Sequence, residues 1–108
     1  MSNFVRLWTT DLVAGRAAQF DELSVTHSVA LFQSLPGCVG AVFARSETTG
    51  YVLTAWHDGA AADAAAQFPV YREAVGAIMA SGVITGRQSL QPLTVSASFM
   101  ASPSVFCG

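Results

Sequence analysis

The sequence predicts an α+β fold with a ferredoxin-like, split βαβ arrangement, in which an antiparallel sheet carries its helices on one face. Two observations predict this fold. Four apolar segments and two helical regions follow one another as strand, helix, strand, strand, helix, strand. The chain of 108 residues is long enough for one core, and a composition that is 52% hydrophobic and 11% charged excludes disorder. We therefore expect a single domain over residues 1–108, with a core at about 4–99 and a C-terminal tail at 100–108.

The first half of the chain is predicted to form a strand, a long helix and a hairpin. Residues 4–10 are rich in β-formers and apolar on both faces, which favours a strand that is covered on both sides. Residues 16–35 carry apolar side chains at helical spacing, and Pro36-Gly37 then end the helix. Residues 39–45 and 51–57 are predicted to pair as a hairpin around a turn at 46–50.

The second half is predicted to form a two-part helical region and a last strand. Asp58 is a good N-cap for the alanine-rich segment 59–67. Pro69 can open a further helix over 70–80, which ends at Ser81-Gly82. Residues 90–99 alternate apolar and hydroxyl side chains, which is the pattern of a half-buried strand. We expect the tail that follows to be loose or to cross onto a partner.

The composition limits the partners of the protein. Five Arg, no Lys and seven acidic residues give a net charge of -2 without a basic run, so we expect no nucleic-acid partner. No apolar stretch reaches the roughly 18 residues of a membrane span. The first residues lack the basic region of a signal peptide, and two cysteines make no disulfide framework, which favours a cytoplasmic protein. Because so few residues are charged, we expect a homodimer with back-to-back sheets.

The common catalytic and cofactor motifs are missing from the sequence. It contains no G-x-S-x-G, no G-x-x-x-x-G-K-[ST] and no G-x-G-x-x-G. Its two histidines are far apart and there is no C-x-x-C pair, so we expect neither a metal site nor a bound cofactor. The chain is then either a binding module or an enzyme whose pocket works with polar side chains alone.

His27 is the first candidate for chemistry. At about 100° per residue it falls near the middle of the apolar face of the first helix. An imidazole on that face is either a core histidine bound to a backbone carbonyl or hydroxyl, or an acid/base group at a pocket between helix and sheet. The residues that define this face are Ala17, Phe20, Leu23, Ala30, Leu31 and Leu35.

Three residues of the predicted strands are candidates for ligand contacts. Trp56 and Trp8 either supply core and interface area or form an aromatic wall for a flat ligand. Arg6 is the cation that the pattern places in the sheet. It either pairs with an acid such as Glu73 or holds an anionic oxygen of a ligand.

Three short motifs carry a resemblance to a known family. They are Leu-Pro-Gly-Cys-Val-Gly at 35–40, Tyr-Val-Leu-Thr-Ala-Trp-His-Asp at 51–58 and Phe-Pro-Val-Tyr at 68–71. With them the chain resembles the antibiotic biosynthesis monooxygenase (ABM) family over about residues 4–99. The resemblance implies a dimeric α+β barrel. It also implies a cofactor-independent monooxygenase that oxidises a small aromatic substrate, anthrone-like or quinol-like, with O₂.

The resemblance also implies roles for individual residues. By this resemblance, Trp56 matches the tryptophan that lines the pocket of polyketide monooxygenases. Those enzymes have an asparagine four residues earlier, where this chain has Val52. The polar partner of the substrate oxygen would then come from His27, Arg6 or Thr54. We expect His27 to accept the proton, and expect substrate contacts from Trp56, Arg6, Trp8, Val52, Thr54 and Phe20.

Other functions stay open at this point. The haem-degrading branch of the family uses an asparagine, a tryptophan and a histidine where this chain has Trp8, about Ala65 and about Val75, so the resemblance does not extend to it. The same dimer could bind a small apolar or aromatic ligand without changing it. It could also be a polyketide cyclase or dehydratase that uses His27 as acid/base.

Overall fold

A computed structural model describes residues 4–102 as an antiparallel sheet covered on one face by helices. The strands are β1 (Phe4–Leu12), β2 (Cys38–Arg45), β3 (Thr49–Trp56) and β4 (Ile84–Thr94), and they lie in the order β2-β3-β1-β4. The first helix, α1, consists of α-helical Ala17–Leu23, π-helical Ser24–Ser28 and α-helical Val29–Ser34. The others are α2 (Gly59–Ala65) and α3 (Pro69–Ala80). The predicted α+β, split βαβ fold is confirmed.

Local chemistry explains where the helices begin and end. The Asp58 carboxylate accepts a hydrogen bond from the Ala61 backbone N–H at 2.8 Å, which is the predicted N-cap of α2. Pro69 occupies the first turn of α3, where its missing N–H costs nothing. Gly37 and Gly82 follow α1 and α3 with φ of 81° and 79°, a conformation that favours glycine.

The buried face of α1 differs from the predicted one, and the expected position of His27 is wrong. Ser24 and Ser28 are buried in step with the apolar residues of the helix, whereas His27 is exposed. Each residue turns a helix by about 100°, so a side chain one position before Ser28 points well away from the sheet. Leu23 is only half-buried and Ala30 is exposed. The predicted face includes Leu23 and Ala30 but not the two serines. Its centre therefore falls on His27.

The last strand also differs from the prediction, which placed it at residues 90–99. The observed β4 begins at Ile84 and ends at Thr94, where it pairs with Phe4 of β1. The alternating side chains after Thr94 have no strand partner among residues 4–102. Residues 85–89, which follow the buried Ile84, are exposed and mostly polar and so give little strand signal. Their pairing with β1 stabilises the strand conformation instead. Pro103 to Gly108, which contain the rest of the predicted tail and Cys107, lie outside the described residues.

The sheet has one covered and one uncovered face. Val52, Thr54 and Trp56 of β3 are buried towards the helices. On the other face, Tyr51 and Leu53 are 40% and 38% exposed. This apolar surface is the one predicted to form the homodimer, which stays a prediction. Within residues 4–102, no helix is long and apolar enough to cross a membrane.

Two core clusters lie between the covered face and the helices. One lies near the start of α1 and contains Leu12, Ala17, Phe20, Val52, Val83 and Ile84. The other lies at the end of α1, around Trp56, and contains Leu31, Leu35, Trp56, Ala62 and Ala65. A cavity lies between the two clusters, and polar and aromatic side chains line it.

Candidate functional site

A cavity of about 390 Å³ lies between the sheet and helices α1 and α3. Its volume is within the range of about 300–1,000 Å³ that is typical of small-molecule sites. Most of its lining is aliphatic or aromatic, with a few polar groups. Every residue that the sequence predicted as a substrate contact lies on its wall: Trp56, Arg6, Trp8, Val52, Thr54 and Phe20. His27, the predicted proton acceptor, does not.

Arg6 is a half-buried cation on the cavity wall. Its Nη1 donates a hydrogen bond to the Ala62 carbonyl oxygen at 2.8 Å. The predicted alternative of an ion pair with Glu73 is wrong, because Arg6 makes no salt bridge within residues 4–102. A guanidinium has five N–H donors, so one bond to a carbonyl leaves donors for a ligand.

Thr54 lies directly opposite Arg6 in the pairing of β1 with β3. Its Oγ1 accepts a hydrogen bond from Trp56 Nε1 at 2.8 Å, in a buried position. The Thr54 hydroxyl hydrogen stays available as a donor, because a hydroxyl can accept and donate at once. The indole N–H of Trp56 is already used, so Trp56 offers a ligand its ring rather than its donor.

Phe32 is the centre of the aromatic part of the wall. Its ring makes edge contacts with Trp56 and Tyr71, with both pairs of centroids 6.4 Å apart, and a tilted contact with Phe43 at 5.9 Å. Edge-on contacts of this kind stabilise aromatic clusters and leave ring faces for other partners. Phe32 and Tyr71 were missed at the sequence level, because they lie on two helices whose spacing in the chain does not show that they meet.

Two serines on α1 were also missed. Ser24 donates its hydroxyl to the Phe20 carbonyl oxygen at 2.8 Å. Ser28 is only 7% exposed and lines the cavity, and its hydroxyl has no hydrogen-bond partner within residues 4–102. Their spacing from Phe20, four and eight residues, was the signal that could have found them.

The position of Ser28 along the sheet follows from two anchor points. Phe20 packs against Gly50, and the end of α1 packs against Trp56, so α1 runs beside β3 in the same direction. Ser28 lies eight residues beyond Phe20, about 12 Å along a helix. Thr54 lies four residues beyond Gly50, about 13 Å along a strand. Ser28 therefore faces the level of the sheet that holds Arg6 and Thr54.

Gln88 joins three elements at the β4 side of the cavity. Its Oε1 accepts a hydrogen bond from Trp8 Nε1 at 2.9 Å, and its Nε2 donates to Met79 Sδ at 3.3 Å. Through these bonds the amide connects β1, β4 and the end of α3. The contact to Met79 is weak, because a thioether sulfur is a poor acceptor.

The titratable groups of the cavity are few. Among the described residues that line it, Arg6 and Tyr71 are the only ones with an ionisable side chain. Cys38 lies elsewhere, on a second cavity between α1 and β2. Burial raises the pKa of the Cys38 thiol, although a hydrogen bond with Gly40 lowers it in part. Within residues 4–102, no group of His, Cys, Asp and Glu is placed to hold a metal ion.

Solved structures with this fold include oxygenases. A monooxygenase of Streptomyces coelicolor, ActVA-Orf6 with nanaomycin D, is 17% identical with a TM-score of 0.78, covering 94% of each chain. A variant of SnoaB, a cofactor-independent oxygenase of Streptomyces nogalater, is 20% identical with a TM-score of 0.71, covering 90% of this chain and 97% of that one. The chain has the fold of these oxygenases. No protein-family model matches it, and a search of curated proteins finds no significant match.

The same fold occurs in proteins without a known activity. A protein of unknown function from Nitrosomonas europaea is 12% identical with a TM-score of 0.76, covering 94% of this chain and 97% of that one. Other similar structures are described provisionally as antibiotic biosynthesis monooxygenases. The α+β fold expected from the ABM resemblance is therefore confirmed for the single chain, and function has to be argued from the cavity.

Proposed function

We propose that the protein is a cofactor-independent monooxygenase that oxidises a small aromatic, anthrone-like or quinol-like substrate with O₂. The observation that carries this proposal is Arg6, a cation without a carboxylate partner in residues 4–102, on the wall of an apolar, aromatic cavity. Such a cavity binds a flat ring, and the guanidinium stabilises negative charge that develops on it. The similarity in fold to the two oxygenases supports the same activity.

The reaction needs an electron-rich anion and O₂. An anthrone-like CH₂ group loses a proton to water, since the described residues of the cavity wall include no carboxylate, histidine or lysine. It becomes an enolate, whose charge is shared between oxygen and carbon. The carbon transfers its electrons to O₂ and forms a C–O bond, which gives a peroxide. The peroxide takes up a proton, loses its remaining hydrogen on carbon and expels water to leave a carbonyl, so that CH₂ and O₂ become C=O and H₂O. In this reaction Arg6 and Thr54 hold the enolate oxygen, and Trp56 and Phe32 form the wall beside the ring.

His27 has no part in the proposed site. Its imidazole is exposed on α1 and does not line the cavity. A general base has to lie within hydrogen-bond reach of the proton that it removes. A cyclase or dehydratase that uses His27 as acid/base loses its support for the same reason.

Binding without chemistry is the second candidate. It is favoured by one observation: among the described residues of the cavity wall, none is a carboxylate, a histidine or a lysine. A pocket of this kind can hold an apolar or aromatic ligand without providing a base.

The homodimer is part of the proposal. Leu7 and Leu53 are paired across β1 and β3 on the uncovered face of the sheet, and Tyr51 and Leu93 lie on the same face. Three of these side chains, Leu53, Tyr51 and Leu93, are about two-fifths exposed at 38%, 40% and 40%. A second copy would remove this apolar surface from water. Light scattering at micromolar concentration should give about twice the chain mass of 11.3 kDa, and a monomer would contradict it.

Oxygen uptake tests the proposed activity. A panel of anthrones and hydroquinones is given to the protein without any added cofactor, and uptake is compared with the uncatalysed rate. Arg6→Gln should lower kcat/KM by roughly 10–100-fold, since hydrogen bonds to charged groups contribute about 1.5–3 kcal/mol. Arg16→Gln is the matched control, because it removes an exposed guanidinium at the start of α1. His27→Ala should leave the rate unchanged. No uptake with any substrate would overturn the oxygenase and favour the binding module.

A further inference from the structure

We propose that the cavity takes its substrate as an oxyanion that is already formed: the conjugate base of an acidic enol or phenol that ionises without help at neutral pH. Arg6 is its counter-ion, and Thr54 and Ser28 donate to its oxygen. The inference rests on the proposed function, because it names the class of substrate that the same cavity would take. Among anthrones, quinols and related rings, the cavity would then take those that carry one sufficiently acidic hydroxyl group.

The described part of the cavity wall provides no carboxylate, imidazole, amine or thiol to remove a proton. Among the lining residues within 4–102 there is no Asp, Glu, His, Lys or Cys. Tyr71 is the one phenol among the described residues of the wall, and a phenol hydroxyl offers a hydrogen-bond donor rather than a carboxylate or imidazole base. His57, the second histidine, is exposed beyond the end of β3. A weakly acidic substrate would therefore meet no base, whereas an acidic one arrives ionised.

The surroundings of Arg6 favour an anion over a neutral ligand. Within residues 4–102, the strand partners of Arg6 and its hydrogen-bond acceptor carry no charge: Thr54 on β3, Pro92 on β4 and Ala62 on α2. Asp63, next to Ala62, is exposed and makes no ion pair with Arg6. A neutral ligand would exclude water from the guanidinium and leave its charge uncompensated. An anion compensates that charge, and the attraction is stronger in an apolar cavity than in water.

Two hydroxyls complete the oxyanion site. Ser28 lies on the cavity wall, and its hydroxyl has no hydrogen-bond partner within residues 4–102. No buried side-chain oxygen or nitrogen in that range lacks a partner, so the Ser28 hydroxyl is accessible from the cavity and free to bind a ligand. Thr54 keeps a hydroxyl hydrogen after accepting the bond from Trp56. Thr54 is paired with Arg6 in the sheet, and Ser28 faces the same level of the sheet from α1. The three residues therefore present donors, and no acceptor with a negative charge, to one region of the cavity.

The rest of the cavity limits the shape and charge of the ligand. Arg6 is the one cation among the described residues of the wall, which suits a ligand with one negative charge better than a phosphate or a dicarboxylate. The aromatic cluster around Phe32 and the aliphatic side of α3 favour a flat, apolar body. The class is thus a planar ring system with one hydroxyl made acidic by a conjugated carbonyl group.

A matched pair of probes tests the inference on the unmodified protein. The acid is 2-hydroxy-1,4-naphthoquinone, which is ionised and coloured at neutral pH, and its control is the 2-methoxy ether, which has the same rings but cannot ionise. We expect calorimetry to show that the acid binds at least tenfold more tightly than the ether. The affinity for the acid should fall as the pH drops below the probe's own pKa, and its colour should show a lower pKa when bound. Equal affinities without a pH dependence would overturn the inference.

Two variants assign the effect to the site. Arg6→Gln should weaken binding of the acid by roughly 10–100-fold and leave the ether unchanged. Ser28→Ala should weaken the acid selectively by a smaller factor, and it fills the same position with a good helix former. Equal weakening of both probes would contradict the roles of these residues.

The outcomes separate the inference from the proposed function. Oxygen uptake with weakly acidic anthrones, together with equal binding of the two probes, would keep the oxygenase and overturn the oxyanion site. Selective binding of the acid without oxygen uptake from any substrate would keep the oxyanion site and overturn the oxygenase.

Discussion

The two long helices cover the same sheet in different ways. Helix α1 buries Phe20 and Leu31 against the sheet, and Leu35 at its end is 3% exposed. Helix α3 has no fully buried residue: Tyr71 and Ile78 are half-buried, and Val75 is 40% exposed. Helix α1 therefore provides the packed core, whereas α3 forms a wall of the cavity. The space that could bind a ligand lies where packing is incomplete.

The largest effect is expected from shortening a side chain on the packed side. Leu35→Ala should reduce the free energy of unfolding by about 2–5 kcal/mol, because it leaves a cavity beside Trp56. Val75→Ala on α3 is the matched change and should cost less than about 1 kcal/mol, since its side chain is already partly in water. Urea denaturation of both variants measures the difference. Similar losses would contradict the contrast between the two helices.

Two glycines with the same backbone conformation follow α1 and α3 and differ in how closely they are packed. Gly37 and Gly82 both have φ near +80°, so alanine at either should cost roughly 1–2 kcal/mol. A Cβ on Gly37 would also lie 2.5 Å from Ala61 Cβ, whereas nothing lies within 4 Å at Gly82. Gly37→Ala should therefore cost about 1–3 kcal/mol more than Gly82→Ala in thermal or urea denaturation. Equal costs would mean that the turn after α1 is no more tightly packed than the turn after α3.

Hydrogen exchange should distinguish the helices in the unmodified protein. Amides of α3 should exchange faster than those of the α-helical parts of α1, because few buried apolar contacts hold α3 on the sheet. The ionised naphthoquinone probe should slow exchange in α3 more than in α1. Mass spectrometry at peptide resolution is sufficient to compare amide exchange in the two helices. Slower exchange in α3 than in α1 without ligand would contradict the comparison.

The smallest effect is expected from a surface ion pair on the packed side. Arg45 of β2 donates from Nε and Nη2 to the two carboxylate oxygens of Asp21 on α1, at 2.9 and 2.7 Å. The hydrogen bond from Arg45 lowers the pKa of Asp21. A lowered folded-state pKa stabilises the protein above the ordinary aspartate pKa, and that contribution is lost as the pH falls through the lowered value.

The change Asp21→Asn should therefore lower the melting temperature slightly at neutral pH. The difference from the unmodified protein should shrink below about pH 4, where the carboxylate of the unmodified protein becomes protonated. Asp63→Asn, on an exposed part of α2, is the control and should show no such trend. A melting-temperature difference that is independent of pH would contradict the assignment to this ion pair.

The elements were largely predictable because their signals are local. Pro36-Gly37, Asp58 and Pro69 mark helix ends by their own backbone chemistry, and the structure confirms all three boundaries. The alternation around Val52 and Trp56 identified β3 for the same reason. The polar start of β4 was missed, since its strand conformation depends on pairing with β1, a contact between distant parts of the chain.

The candidate site was predictable only on its strands. Alternation within one strand places Arg6 with Trp8 and Thr54 with Trp56, and all four lie on the cavity wall. The helical side of the wall was not predictable in the same way. Ser28 was passed over because a serine lowers the apparent hydrophobicity of a face, although its hydroxyl suits a cavity.

Composition and local pattern thus sufficed for the order of strands and helices and for the strand side of the cavity. These depend on side-chain period and backbone chemistry, which can be read within a few residues. Tertiary structure alone decided that His27 faces water, that Arg6 has no acidic partner within residues 4–102, and that α3 leaves a cavity open beside α1. The physical reason is that packing between elements distant in the chain sets which face of a helix is buried and which charges remain unpaired.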